Sequence, residues 1–197
     1  MNKNNLSFFV FLFAMLLQAS ALSSQSLKTV PKVGLGINGL DFSVEIPLAE
    51  KISIEPAIGF GPSYDFSDMD AVTKKMGWHY ALIEPSVHAS MYGKFFYNRD
   101  KRISKGKSLL FNSGKFIGMK VKYVSKPLTT EKYHGQTNTL IANLNWGGQR
   151  NFGHHWNYSY SLGLGYGRNL DFAYDTFYPA IDLKVSYVLP LLIKKGR

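Results

Sequence analysis

The sequence contains no cysteine, little charge and no long apolar run. The absence of Cys among its 197 residues excludes disulfide scaffolds, Cys-ligated zinc, iron–sulfur clusters and thiol nucleophiles. Charged residues make up 18% of the chain, below the ~25% usual for soluble domains. The longest apolar run, residues 8–17, is half the length of about 20 residues that a membrane-spanning helix needs. The composition therefore excludes a bundle of membrane helices and is unusual for a soluble domain.

The amino terminus has the pattern of a secretory signal peptide. Lys3 precedes the apolar run, and the small residues Ala19-Ser20-Ala21 follow it as a cleavage site. We therefore predict a signal peptide over residues 1–21 and one mature domain over residues 22–197. Loss of Lys3 takes the formal net charge from +10 to +9.

Apolar and polar residues alternate along most of the mature chain, a pattern that predicts β-strands. The seven clearest segments are residues 40–48, 52–60, 81–97, 115–124, 137–147, 156–167 and 177–187. Asn38-Gly39 is a strong hairpin signal and adds an eighth strand over residues 30–37. Single-chain bacterial outer-membrane barrels carry an even number of strands. We predict an all-β fold, an eight-stranded antiparallel up-and-down transmembrane β-barrel.

The face opposite the apolar one indicates which side meets water. It consists largely of small residues such as Ser53, Ala57 and Gly59, which make a poor water-facing surface but fit the narrow lumen of an eight-stranded barrel. Aromatic residues near the strand ends predict the girdles of a membrane barrel: Tyr123, Trp146, Trp156, Tyr166, Phe177 and Tyr187. The alternative is a soluble periplasmic lipocalin-like binder, with the apolar face turned inward.

The sequence also resembles small outer-membrane β-barrel proteins of Gram-negative bacteria, many of them of unknown function. The resemblance lies in residues 97–102 (YNRDKR), 105–107 (KGK), 112–114 (NSG), 33–36 (VGLG) and 45–48 (EIPL). It implies an outer-membrane location and insertion by the barrel-assembly machinery. Such barrels usually finish on an aromatic residue that this machinery reads. Here Tyr187 either serves as that signal upstream of a tail, or the chain inserts by another route.

Charged residues at inward positions predict a polar network in the lumen. Its expected members are Glu45, Glu55, Glu84, His88, Lys94, Lys120, Lys122, Asp182 and Lys184. Buried charges require partners, so we expect these side chains to pair and to fill the lumen. A filled lumen does not conduct as a porin does.

One group of residues has the composition of a catalytic site. Glu84, Ser86, His88 and Ser90 follow one another at i, i+2 spacing on one strand face, which places a base beside hydroxyls and a carboxylate. This pattern supports an alternative hypothesis, a lipid A-modifying enzyme that uses His88 with Ser86 or Ser90. The group alternates with lipid-facing positions and therefore points into the lumen, which favours interior packing and a non-enzymatic protein.

Two other motifs carry no site. Residues 34–39 match G-x-G-x-x-G, but a strand-like pattern follows them instead of the helix that a dinucleotide site requires. His154 and His155 are adjacent, so on a strand they point to opposite faces and form no metal site. We expect no cofactor, no metal and no nucleic acid. The expected partners are outer-membrane lipids, lipopolysaccharide and the barrel-assembly machinery, with a structural, adhesive or surface-interaction role for the loops.

Overall fold

A computed structural model of the protein describes residues 27–65, 79–128, 138–171 and 175–190. For residues 64–65 and 79–84 it describes the backbone alone. The predicted signal peptide, residues 1–21, lies outside the described residues. In the described part of the chain, no helix is both long and apolar enough to cross a membrane.

Eight antiparallel strands form a closed barrel, which confirms the predicted all-β, eight-stranded architecture. Each strand pairs with its neighbours in sequence, and β1 pairs with β8 to close the wall. The strands are β1 (Val30–Gly36), β2 (Gly39–Ala49), β3 (Ile52–Asp65), β4 (His79–Phe95), β5 (Gly114–Val124), β6 (Thr139–Phe152), β7 (Trp156–Asn169) and β8 (Asp175–Val188).

The predicted hairpin between β1 and β2 is present, with its turn one residue earlier than the Asn-Gly pair. Gly36 pairs with Gly39, so Ile37 and Asn38 form the turn. Gly39 has a φ of 94°, and a Cβ there would lie 2.2 Å from the carbonyl oxygen of Phe60. Only glycine fits this position, because it tolerates a positive φ and leaves room for the neighbouring strand.

Strand β6 extends five residues beyond the predicted end at Gly147. The break predicted to begin at Gly148 is absent there, because Gly148 pairs with Tyr160 of β7 and the turn is confined to residues 153–155. The ring of Tyr160 lies over Gly148, where a Cβ would come within 3.0 Å of the Tyr160 hydroxyl. Glycine therefore accommodates a cross-strand aromatic ring here instead of ending the strand.

The two ends of the barrel differ in their connections. The lower end carries residues 27–29, the links 50–51 and 153–155, and the long link 96–113. That link contains a short helix, α1 (Arg99–Ser104), and a 3-10 turn at Leu110–Asn112. The upper end carries the connections between β3 and β4, β5 and β6, and β7 and β8. The β1–β2 turn lies on the upper side of its own hairpin.

The barrel is inverted relative to a soluble domain. Among the described residues, 32 large apolar or aromatic side chains are exposed, whereas 11 apolar or aromatic side chains are buried. Twenty polar or charged side chains are buried in the same part of the chain. Apolar residues therefore cover the outer surface, and polar residues fill the interior.

Candidate functional site

The lower half of the lumen is occupied by an ion-paired group that we call the lower cluster. Its members are Lys32, Glu45, Glu55, Lys94, Asn112 and Gln149, each buried. Lys32 Nζ lies 2.9 Å from a carboxylate oxygen of Glu45 and 2.9 Å from one of Glu55. Lys94 contacts both carboxylates as well. Two lysines thus balance two carboxylates, and their side chains are at most 4% exposed.

Neutral side chains complete the hydrogen bonding of Glu45. Its carboxylate accepts hydrogen bonds from Ser53 Oγ at 3.0 Å, Asn112 Nδ2 at 3.1 Å and Gln149 Nε2 at 3.0 Å. Because its charge is paired and its lone pairs accept several donors, burial of this carboxylate is tolerated.

The 3-10 turn of the β4–β5 link closes the lower mouth of the barrel. Asn112 exchanges two hydrogen bonds of 2.8 Å with the backbone of Lys28, which lies ahead of β1. The carbonyl of Phe111 accepts hydrogen bonds from Gln149 and Asn157 in the lumen. Phe111 and Asn112 adopt positive φ values of 51° and 55°, a costly conformation for residues other than glycine. These hydrogen bonds hold the strained turn against the lumen.

Apolar side chains pack above and around this closure. Leu27, Tyr92, Phe96 and Phe116 form a buried cluster, in which the rings of Phe96 and Phe116 meet edge to face with centroids 5.8 Å apart. The β4–β5 link is far longer than the other connections at this end of the barrel, and its contacts explain its length. It is a cap on the lower mouth.

Arg99 belongs to the same link and is buried at the start of α1. Burial lowers the pKa of its guanidinium from the ordinary value, while the charges of Asp100 and Glu50 act in the opposite direction. An arginine remains protonated at neutral pH. The cap therefore carries a fixed positive charge.

The upper half of the lumen contains a second charged group, the upper cluster. Its members are Asn38, Asp41, Lys120, Lys122, Asp182 and Lys184. Lys120 Nζ lies 2.9 Å from Asp182, and Lys184 Nζ lies 3.2 Å from both Asp41 and Glu55. Asn38 donates to Asp182 at 2.9 Å and accepts from Lys122 at 3.2 Å. Among the described side chains of this cluster, three lysines face two aspartates, an excess of one formal positive charge.

Packing differs between the two clusters. In the upper cluster the side chains of Lys120 and Asp182 are 14% and 20% exposed, several times the exposure of the lower ion pairs. A cavity of about 470 Å³ lies beside them, lined by Lys120, Lys122, Ile141, Asn143, Tyr178 and Ala180 among others. Between the two clusters the free space is only about 20 Å³, room for a single water molecule. Side chains thus fill the lower half of the lumen, as predicted for the whole lumen, whereas the upper half contains a cavity.

His88 points into the lumen, where it is 3% exposed. Within the described part of the chain, neither its Nδ1 nor the Oγ of Ser86 has a hydrogen-bond partner. A Cβ on Gly59 would lie 2.6 Å from the His88 Nε2, so the imidazole packs against that strand. Ser90 lies on the same face of β4 and lines the narrow space between the clusters. The backbone of Glu84 belongs to β4, and its side chain lies outside the described residues.

The aromatic residues singled out in the sequence lie on the outer surface near the two ends. Trp156 pairs with Tyr187 at the lower end, and their rings are 5.2 Å apart. Trp146 donates a 2.7 Å hydrogen bond to the hydroxyl of Tyr97. At the upper end Tyr166 pairs with Phe177, and Tyr123 donates to Asn138 at 2.9 Å.

Two ionic members of the lumen were missed at the level of sequence. Lys32 joins the lower cluster and Asp41 joins the upper one. Strand parity contained the signal, because Lys32 alternates with the outward Val33, and Asp41 lies between the outward Leu40 and Phe42. The contribution of Asn112 had no such signal, because it depends on how the lower link folds back onto the barrel. Gln149 shares the parity of Asn143 and Asn145 but lies beyond Gly147, where the strand was predicted to end.

Within the described residues, no group of three or more His, Asp or Glu side chains is placed to hold a metal ion. His154 and His155 lie in the β6–β7 turn, and the His155 ring packs 5.7 Å from that of Tyr187. Comparison of the chain with models of protein families, with curated proteins and with solved structures finds no match.

Proposed function

We propose that this protein is an outer-membrane β-barrel that is closed to ion flow and non-catalytic, and that it acts through its loops as a structural or surface-interaction protein. The observation that carries the proposal is the inversion of the barrel, with apolar side chains outside and polar side chains inside. In water, such an outer surface is an aggregation hazard, because soluble monomers rarely expose large contiguous apolar patches. In a bilayer it is the surface that a membrane barrel requires.

The backbone supports the same location. Where its strands pair, the closed barrel satisfies its backbone hydrogen bonds internally, which is the condition for strands to cross a bilayer. Outward aromatic residues near both ends have the arrangement of interfacial girdles. A lipocalin-like binder, by contrast, needs the apolar face inside and a polar face outside. The orientation of side chains therefore favours the membrane barrel over the soluble one.

Cell fractionation with a heat-modifiability gel tests the location. We expect the protein in the outer-membrane fraction, migrating differently before and after boiling because the folded barrel resists detergent. Recovery in the soluble periplasmic fraction would contradict the proposal.

A charge placed on the outer surface tests which solvent that surface meets. Leu162 is 57% exposed near the middle of β7, and Leu170 is 47% exposed at the upper end. If the surface faces lipid, Leu162→Arg lowers the free energy of unfolding by about 2–4 kcal/mol and Leu170→Arg by about 0–1 kcal/mol. If the surface faces water, both substitutions stay within about 0.5 kcal/mol. Urea unfolding of the refolded barrel in lipid vesicles measures the difference.

The absence of a conducting pore follows from the closed lower half. The lower cluster and the cap of the β4–β5 link occupy the path along the barrel axis. We expect planar-bilayer recordings of the purified protein to show no large, stable open conductance. A porin-like conductance would contradict this part of the proposal.

A non-catalytic role for His88 is supported by its surroundings, since its Nδ1 and the hydroxyl of Ser86 lack the hydrogen bonds of an activated nucleophile. Lipid A mass spectra of cells carrying the wild type, a deletion and His88→Ala test this point. We expect the three spectra to be identical. A lipid A species that is lost in both the deletion and His88→Ala would establish the enzyme instead.

A further inference from the structure

The β1–β2 hairpin is shorter than the strands on either side of it. β1 pairs with β8 only from Lys32 to Gly36, and the amide of Ile37 makes a last hydrogen bond to Leu183. No described strand pairs with that edge of β8 over residues 175–182. On the other side, pairing between β2 and β3 ends at Phe60, so residues 62–65 of β3 extend beyond it.

The barrel wall therefore has an opening above the hairpin turn, between β8 and β3, which we call the wall gap. At this level the described part of the chain places no strand between β8 and β3, and three inter-strand spacings make the opening about 14 Å wide. Pro179 and Pro62 lie on the two strands that flank it. Proline lacks the N–H that a paired strand needs and is tolerated at strand edges.

The surroundings of the wall gap are apolar on the outside. Ile37 in the turn is 42% exposed, Phe60 on β3 is 47% exposed and Ile181 on β8 is 56% exposed. A turn at a watery rim carries polar residues, whereas this one directs Ile37 outward and Asn38 inward to Asp182. The wall gap thus begins within the apolar band of the barrel and extends from there to the upper rim.

The cavity of the upper half lies directly behind the wall gap. Ile37, Ile181 and Leu183 line both the cavity and the outer surface beside the opening. Deeper in the cavity the walls are apolar at Ile141 and Ala180. At the polar end, the described lining residues include Lys120 and Lys122 and one carboxylate, that of Asp182. The cavity therefore joins an apolar entrance and an apolar wall to a positively charged end.

We propose that this cavity binds an acyl chain that carries an anionic head group, and that the chain enters from the membrane through the wall gap. The apolar wall takes the chain, and the excess lysine charge takes the head group, through charge-assisted hydrogen bonds. Backbone edges left unpaired at membrane depth are tolerated where they line such a cavity. This inference rests on the proposed outer-membrane location.

Chain-matched probes test the proposal. Native mass spectrometry of the processed full-length protein, released from lipid nanodiscs, counts ligands after incubation with dodecanoate, dodecyl phosphate or dodecanol. We expect one saturable adduct per barrel for at least one of the anionic probes and about tenfold weaker binding of dodecanol. Binding of dodecanoate alone identifies a fatty-acid carboxylate as the head group, and binding of dodecyl phosphate identifies a lipid phosphate. Equal binding of all three probes, or none, would overturn the inference.

Paired variants locate the adduct. Ala180→Phe fills the cavity, whereas Ala142→Phe adds the same ring on the outer face of β6. We expect Ala180→Phe to lose the adduct and Ala142→Phe to keep it. Lys122→Met removes one charge at nearly constant length and weakens anionic binding about tenfold, with dodecanol unchanged. Retention of the wild-type adduct in Ala180→Phe would place the ligand elsewhere and refute the site.

A heat-modifiability gel shows whether each variant folds, so that loss of binding can be distinguished from loss of folding. Each variant is first shown to give the folded band, and Ile141→Trp replaces Ala180→Phe should that variant not fold. A protein recovered from the soluble fraction refutes the outer-membrane location, whatever its ligands. A folded membrane barrel that binds none of the probes refutes only the acyl-chain site.

Discussion

The lower and upper halves of the lumen both contain Lys–carboxylate ion pairs, but only the lower half is closely packed around them. In both halves, each ion pair joins a lysine to a carboxylate on another strand, at about the same distance. The lower pairs are at most 4% exposed and balanced in charge, whereas the upper pairs are 11–20% exposed and carry an excess lysine. Ion pairing alone therefore does not close a barrel. The lower half is closed by the chain segments that pack around its ion pairs.

The cause of the difference lies at the two ends of the wall. Below, the β4–β5 link and residues 27–28 fold into the mouth and exclude water from the lower cluster. Above, the hairpin of β1 and β2 stops short and leaves space beside the upper cluster. The lower half is therefore a packed core, and the upper half contains a cavity large enough for a ligand.

The largest expected contrast is between two carboxylates. Glu55→Gln removes the carboxylate shared by Lys32, Lys94 and Lys184, which leaves three buried lysines with only Glu45 and Asp41 as ion-paired counter-charges among the described residues. We therefore expect a loss of about 3–5 kcal/mol in the free energy of unfolding. Asp182→Asn breaks a half-buried pair that water can reach, and we expect a loss of about 1–2 kcal/mol. Urea unfolding in vesicles measures both. Equal losses of stability in the two variants would show that the ion pairs of the two halves contribute alike.

Two asparagines with several hydrogen bonds each give a smaller contrast. Asn112→Ala removes the buried side-chain bonds to Lys28 and Glu45, for an expected loss of about 1–3 kcal/mol. Asn138→Ala removes exposed bonds to Tyr123 and Asp171 at the upper rim, where water replaces them, and we expect a change within about 0.5 kcal/mol. The same unfolding assay measures both variants. A larger loss of stability for Asn138→Ala than for Asn112→Ala would contradict a stabilising role of the cap.

Cysteine labelling compares the access to each half, and the absence of native Cys makes it unambiguous. Ala180→Cys faces the upper cavity, and Ser53→Cys lies in the lower cluster, where the native serine is 0% exposed. A maleimide attached to an acyl chain in the bilayer should label position 180 at least about tenfold faster, equivalent to about 1.4 kcal/mol of protection at position 53. Similar rates at the two positions would argue against the wall gap.

The smallest expected effect compares two tyrosine hydroxyls of the upper half. Tyr178 donates a 2.6 Å hydrogen bond to Asn143 inside the lumen, and Tyr178→Phe should cost about 1 kcal/mol. Tyr166 donates to Asp175 on the exposed rim, and Tyr166→Phe should leave the unfolding midpoint unchanged because water replaces the partner. A measurable decrease in the unfolding midpoint of Tyr166→Phe would show that the hydrogen bond on the rim also stabilises the barrel.

Much of the fold could be predicted because strand alternation is a local signal. Residues that point outward, such as Leu162 and Ile181, alternate with inward residues such as Ser161 and Asp182 in the sequence itself. The same parity predicts most of the ionic residues of the lumen. Lys32 and Asp41 obey it too, since each alternates with outward apolar residues of its own strand. The end of β6 was misplaced because a glycine that accommodates a neighbouring ring looks like a glycine that ends a strand.

The sequence by itself determined the number of strands, through alternation and the hairpin signal at Asn38-Gly39, and also which side chains share the lumen. It could do so because alternate residues of a strand point to opposite faces. Only the tertiary structure decided which half of the lumen is closed. That outcome depends on contacts between residues far apart in the chain, such as Lys28 with Asn112, and on where the wall loses its pairing above Gly36. No local pattern encodes either of them.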